Sequence, residues 1–381
     1  DGGESDAHAR ALEWLVHAAL DRHAGPSSSN HAPGSDAARA AERALADALS
    51  LARRDERRFP AVVVAVARKS DPSEWPALFA RAGDVVALLD ASTRAGKLRT
   101  SAAYLVVVDA LKGHDVSASA AAGLLRAALS RRRYSLAGEL TRFTARRPAV
   151  AEATANADSF AGIGGGDDIA AAVSGMFKWL GLGGATPPAP SSTTTPTTPL
   201  GAKSVAGAQG GVIPVLPHDA RVALRDHARS LATEIDLGSL AVFARETGFD
   251  VGAFFENEKT AEPGGGAARL RDFPAALARA AFSLRRRQDD DVWTACGPIL
   301  RQMVAVGAVE WALVTATLLR RTDTLARVVD GRRELLSAWR EGVEKCAQRA
   351  ASVGDDAQAQ FLRSLLNDML RGLSANGSGE A

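Results

Sequence analysis

The chain is poor in cysteine, in aromatic residues and in long apolar runs, and each shortage closes off a class of protein. Cys296 and Cys346 are the only cysteines among 381 residues. Two thiols so far apart supply neither a disulfide framework nor a zinc site, so a reducing compartment is expected. The longest uninterrupted apolar runs, Ala61 to Ala67 among them, are far shorter than the roughly 20 residues that cross a bilayer. No secretory signal is present, because the stretch from Asp1 is acidic and polar. The chain opens on Asp1 rather than Met and is read as a fragment of a longer protein, with any targeting information expected outside it. Excess charge of one sign is also missing. Lys and Arg number 46 against 44 Asp and Glu, a net +2, which argues against broad attraction to nucleic acid or anionic lipid.

What is abundant is Ala, Leu, Arg and Val, while aromatics make up 5%. Ala, Leu and Arg lose little conformational freedom in a helix, so the composition favours helices. Helical periodicity covers most of the chain. Over 6–24, Ala11, Leu12, Leu15, Val16, Ala19 and Leu20 fall on one stripe. Ser35 and Asp36 suit a cap for a second helix carrying Leu45 and Leu49. Phe59-Pro60 opens a helix through Lys69, Asp71-Pro72-Ser73-Glu74 restarts the chain, and Gly83-Asp84 breaks and recaps it before Val85 to Ala95. Leu98 to Leu111 is apolar almost all round. Its β-branched run also suits a buried strand, but with helical neighbours and no partner strand it reads as the inner helix of an array. Ser117 to Leu129 and Tyr134 to Thr144 complete the block, and the short loops imply antiparallel neighbours.

From 151 to 217 the texture changes. Gly162 to Gly166, Pro187-Pro188 and the Ser191 to Thr198 run cannot offset the cost of ordering the backbone, so a low-complexity linker is expected. Within it, Asp167 to Leu180 places Ile169, Val173, Met176, Phe177 and Leu180 on one helical face. This short amphipathic helix suits packing on its own domain, a partner groove or a membrane surface. Helices resume at His218, with Asp236 to Thr247 ended by Gly248, Val251 to Glu256, and Phe273 to Arg287. Four more follow at about 292–305, 308–319, 322–350 (with a break near Gly331) and 355–372. The expected organisation is two helical-repeat segments, 1–150 and 218–373, on either side of the linker 151–217, with a loose tail over 374–381.

No constellation for catalysis stands out. His-Glu-x-x-His, Cys-x-x-Cys, Gly-x-Ser-x-Gly and a strand-borne Gly-x-Gly-x-x-Gly are all missing. Gly96-Lys97 is followed by Leu98 where a phosphate loop needs Ser or Thr. Gly162 to Asp168 follows no strand. His8, His17 and His23 share one helix and read as a solvated face. Arg131 to Arg133 suit a helix C-terminus, and Arg285 to Arg287 are offset by Asp289 to Asp291. The chain therefore reads as a binding protein, without catalytic, cofactor or metal residues.

One block carries a more specific pattern. Phe59-Pro60 leads to Val66-Ala67-Arg68-Lys69, Trp75-x-x-Leu78-Phe79-x-x-x-Gly83 and Leu88-Leu89. Leu98-x-x-x-Ala102-Ala103-Tyr104-Leu105, Leu124-Leu125-x-x-Ala128-Leu129 and Glu139-Leu140-x-Arg142-Phe143 then follow. This order resembles the C-terminal helical domain of the ribosome control protein 1 family. Leu237-x-x-Leu240-x-x-Phe243-Ala244, Gly248-Phe249-Asp250, Phe254 and Arg269-Leu270-x-Asp272-Phe273 continue the resemblance, which fades after Asp291. It implies an all-α fold, an α-solenoid of antiparallel helix pairs that follows N-terminal propeller domains, which this chain lacks. It also implies a subunit of a guanine-nucleotide exchange factor for a Golgi Rab GTPase, supporting retrograde endosome-to-Golgi transport. The implied partners are a second subunit and the Rab, with a cytoplasmic location peripheral to Golgi membranes and no nucleic acid. A helical-repeat scaffold of a coat or tether, without exchange activity, shares the same fold and stays open as the alternative.

Overall fold

The computed structural model describes residues 2–24, 36–145, 216–261, 267, 269–270, 272–286, 290–329 and 333–377. Among them, every regular element is a helix. The chain divides into two compact units, Asp1–Ala127 with Glu139–Asp219, and Ala128–Gly138 with Ala220–Ala381. Residues 128–138 belong to the second unit. The 151–217 segment, with its 167–180 stripe, lies outside the described residues apart from Leu216 and Pro217.

The first unit begins with α1 (Gly2–Ala24), α2 (Asp36–Arg53), α3 (Phe59–Ala67) and a 3-10 turn, Pro72–Glu74. It continues with α4 (Trp75–Ala82), α5 (Val85–Arg94), α6 (Leu98–Lys112), α7 (His114–Ser130) and α8 (Tyr134–Ala145), whose ends α7 and α8 share with the second unit. Leu98 to Leu111 is therefore helical. Its residues from Ser101 to Val108 are all buried, because α3, α4 and α5 pack around α6. An element covered on all sides needs no polar face, which is why its pattern cannot tell helix from strand.

Large aromatic side chains lock these helices together. Trp75, on α4, is fully buried and donates its indole N–H to the Ala67 carbonyl at 2.8 Å, where α3 ends. Tyr104, on α6, donates its hydroxyl to the Pro60 carbonyl at 2.6 Å and meets Phe79 edge-on at 6.4 Å. Each ring thus buries a large apolar area and still satisfies its polar atom. Phe59, Phe79, Leu105 and Phe143 are buried as well.

The second unit contains α9 (His218–Glu234), α10 (Leu237–Thr247), α11 (Val251–Ala261), α12 (Phe273–Arg286), α13 (Asp290–Ala305) and α14 (Val309–Leu318). It ends with α15 (Thr322–Val329), α16 (Arg333–Ser352) and α17 (Asp356–Gly377). The stretch read as 322–350 is thus two helices. The last helix runs to Gly377, beyond the end near 372 that the pattern indicates, and α11 extends past Glu256 to Ala261. The core helix here is α14, buried throughout from Trp311 to Leu318 and packed against α12, α13 and α15. Trp311 donates to the Ala267 carbonyl at 3.0 Å. Trp339, on α16, donates to the Thr317 hydroxyl at 2.8 Å, which itself donates to the Leu313 carbonyl.

One turn recurs between consecutive helices. Gly96, Arg132, Ile235, Gly307, Arg320 and Gly354 each adopt a left-handed conformation. In each case the following N–H reaches back five residues to a helix carbonyl, as from Lys97 to Ser92 and from Asp236 to Leu231, both at 2.9 Å. This closure satisfies orphan carbonyls and reverses the chain within two residues. Aspartates then start the next helices. Asp84, Asp236, Asp250, Asp272 and Asp355 each accept the N–H three residues on, a favourable N-cap. Turn and cap together give the antiparallel helix pairs of an α-solenoid.

Candidate functional site

Of the residues singled out in the sequence, Gly162 to Asp168, Arg287 and Asp289 lie outside the described residues. Gly96 occupies the turn between α5 and α6, and the Lys97 ammonium donates to the Arg57 carbonyl. On α1, His8 is exposed, and His17 lies 3.1 Å from the Asp21 carboxylate, one turn along. The i, i+4 spacing of His17 and Asp21 was the signal for this pair. Beside it, Lys69 sits 2.5 Å from Glu13. Burial raises the Glu74 carboxyl above its usual range, and the negative charges of Asp21 and Asp71 add to that. Among the described residues, no group of three or more His, Cys, Asp or Glu side chains is placed to hold a metal ion.

The Arg131 to Arg133 run does more than face a helix end. Arg132 bonds Asp236, lies 3.0 Å from Glu234 and donates to the Ser239 hydroxyl at 3.0 Å. Burial disfavours the Asp236 carboxylate, but hydrogen bonds from Ser239 and Arg132 outweigh this and hold its pKa below the usual value. Next to this node, His227 approaches the Tyr134 hydroxyl at 3.3 Å and packs edge-on to Phe243 at 5.3 Å. Burial, then the nearby Arg132 cation, lowers the His227 pKa. A series of ring contacts continues through Phe249, Phe254 and Phe255 to Trp311. Arg229 grips the buried Glu258 through two hydrogen bonds, at 3.1 and 2.5 Å. These residues are over 100 positions apart in places, and no sequence spacing pairs them.

Both thiols are buried. Burial pushes Cys296 up to about 12 and also raises Cys346. Burial thus disfavours the thiolate, the reactive form, at both positions.

What remains accessible is a set of surfaces. On α1, Trp14 is 72% exposed and Leu15 36%, so Leu15 leaves the stripe that Leu12, Val16, Ala19 and Leu20 bury. A groove of about 640 Å³ runs between α5 and α7. Buried Leu89 and Leu124 form its floor, and Val86, Thr93 and Ala120 stand at its sides. Among the described residues, no helix is long and apolar enough to cross a membrane.

Helices joined by short left-handed turns, with buried tryptophans as anchors and accessible grooves, define an α-solenoid, a class that works through its surfaces. Residues 4–161 match the family model described as the RIC1 C-terminal alpha solenoid region. The residues from Phe59 to Phe143 that carry the resemblance all lie inside this match. No curated protein and no solved structure matches the chain.

Proposed function

We propose that this chain is the helical domain of a subunit of a guanine-nucleotide exchange factor complex for a Golgi Rab GTPase. It acts by protein–protein binding in retrograde endosome-to-Golgi transport and contributes no catalytic residue of its own. The observation that carries the reading is the family match over residues 4–161, together with the burial of the motif residues Trp75, Phe79, Tyr104 and Phe143. Those residues preserve a scaffold and leave its surface for partners. Exchange needs no acid–base chemistry. It needs a surface that favours the nucleotide-free GTPase, which shifts the equilibrium towards release. The implied partners are a second subunit and the Rab itself. Association with Golgi membranes would run through them, with the chain on the cytoplasmic side.

The test is a pull-down of the purified chain against the partner subunit and against the nucleotide-free Rab. Retention of either supports the reading. A folded chain that retains neither overturns it in favour of a scaffold in a coat or tethering complex.

A further inference from the structure

We propose that the groove between α5 and α7 seats an amphipathic helix of a partner protein, about two turns long, whose apolar stripe is flanked by lysine or arginine. The length follows from the walls. Val86 to Thr93 spans about 10 Å and Val116 to Leu124 about 12 Å at 1.5 Å per residue, and one helical turn rises about 5.4 Å. The floor is apolar, with Leu89 and Leu124 buried, and Val116 on the wall is 40% exposed. Across it, α7 presents Ser119, Ala120 and Gly123. A Cβ added at Gly123 would meet nothing within 4 Å. Small side chains on one wall let a second helix approach to the roughly 8 Å axis separation of close packing.

The flanking charge follows from the rims. Asp90 stands on the α5 side and Asp115 on the α7 side, both exposed. Among the described residues, neither forms an ion pair, whereas nearby Asp84 is paired with Lys112. An apolar strip between two uncompensated carboxylates repels an acidic helix and complements a basic one. The inference does not depend on which protein carries that helix, so it stands apart from the exchange-factor reading.

Gly123→Arg is the decisive variant. Position 123 is exposed and helical and a Cβ there meets nothing within 4 Å, so the backbone tolerates a side chain, and an arginine would extend its length and charge into the groove. The probe is a fluorescein-labelled synthetic peptide with leucines at i, i+3, i+4 and i+7 and lysines beside that stripe. Its isomer carries glutamates in place of the lysines. Fluorescence anisotropy with the full chain should show the lysine peptide binding about tenfold or more tighter than the glutamate isomer. Gly123→Arg should remove the binding, while Gly123→Ala keeps it, with unchanged circular dichroism for both. Absence of binding, equal binding of the two peptides, or unchanged binding by Gly123→Arg overturns the proposal. So does a several-fold gain in affinity for Phe177→Asp, because residues 167–180 of the same chain would then be the occupant.

Discussion

Replacing Trp75 with alanine tests the scaffold at a fully buried anchor. The indole is fully buried and its N–H is bonded to the carbonyl at the end of α3. Truncation loses the transfer free energy of the ring, leaves a cavity and withdraws a buried hydrogen bond. Buried tryptophan truncations cost about 3–5 kcal/mol, so about 4 kcal/mol is expected here. For a unit of this size each kcal/mol lowers Tm by roughly 2–4 °C, which predicts a drop of about 8–16 °C. Trp75→Phe separates the contributions. It keeps most of the apolar contact and loses one donor, while the Ser70 hydroxyl still reaches the Ala67 carbonyl at 3.4 Å, so about 1 kcal/mol is expected from the lost bond. Thermal and urea unfolding followed by circular dichroism would measure both variants. A Trp75→Ala protein that melts with the wild type would refute the claim that this residue anchors the fold.

The second unit should lose stability in acid through His227. Its folded pKa lies below the ordinary 6.5, so the unfolded chain takes up a proton first. The stabilisation is therefore present above pH 6.5 and is lost as pH falls through the folded value. Urea titrations from pH 7.5 to about 5 should show that slope in the wild type and a flatter one in His227→Phe, and parallel slopes would count against the assignment. Ile235, β-branched at φ 57°, carries backbone strain of about 1–2 kcal/mol. Against glycine's entropic cost of about 0.5–1 kcal/mol, Ile235→Gly should raise the unfolding free energy slightly. A lowered Tm would show that the partly buried side chain matters more. At Gly342 an added Cβ would stand 2.5 Å from the Phe273 ring. Gly342→Ala should therefore destabilise by about 1–2 kcal/mol despite its better helix propensity, whereas Gly123→Ala should stabilise by up to about 1 kcal/mol. Equal shifts for the two variants would defeat the packing argument.

The fold class was readable in the sequence because helices are local. The stripe of α1, the Asp84 and Asp236 caps and the glycine stops at Gly96 and Gly248 are each written within a few residues of where they act. Leu98 to Leu111 stood at the limit, since uniform apolarity records burial without saying which element is buried. Only the tertiary structure decided which surfaces stay open. Ala11 and Leu15 share a stripe with Leu12 and Val16 in the sequence, yet the neighbours of α1 cover only part of that arc. Arg132 looks like one of three equivalent arginines until the fold brings Asp236 and Ser239 to it. Asp90, Asp115 and Gly123 are unremarkable singly and become a groove only when α5 and α7 lie side by side. Secondary structure depends on spacings of a few residues, which the chain states directly. A binding surface depends on residues brought together by packing, and no spacing along the chain encodes that neighbourhood.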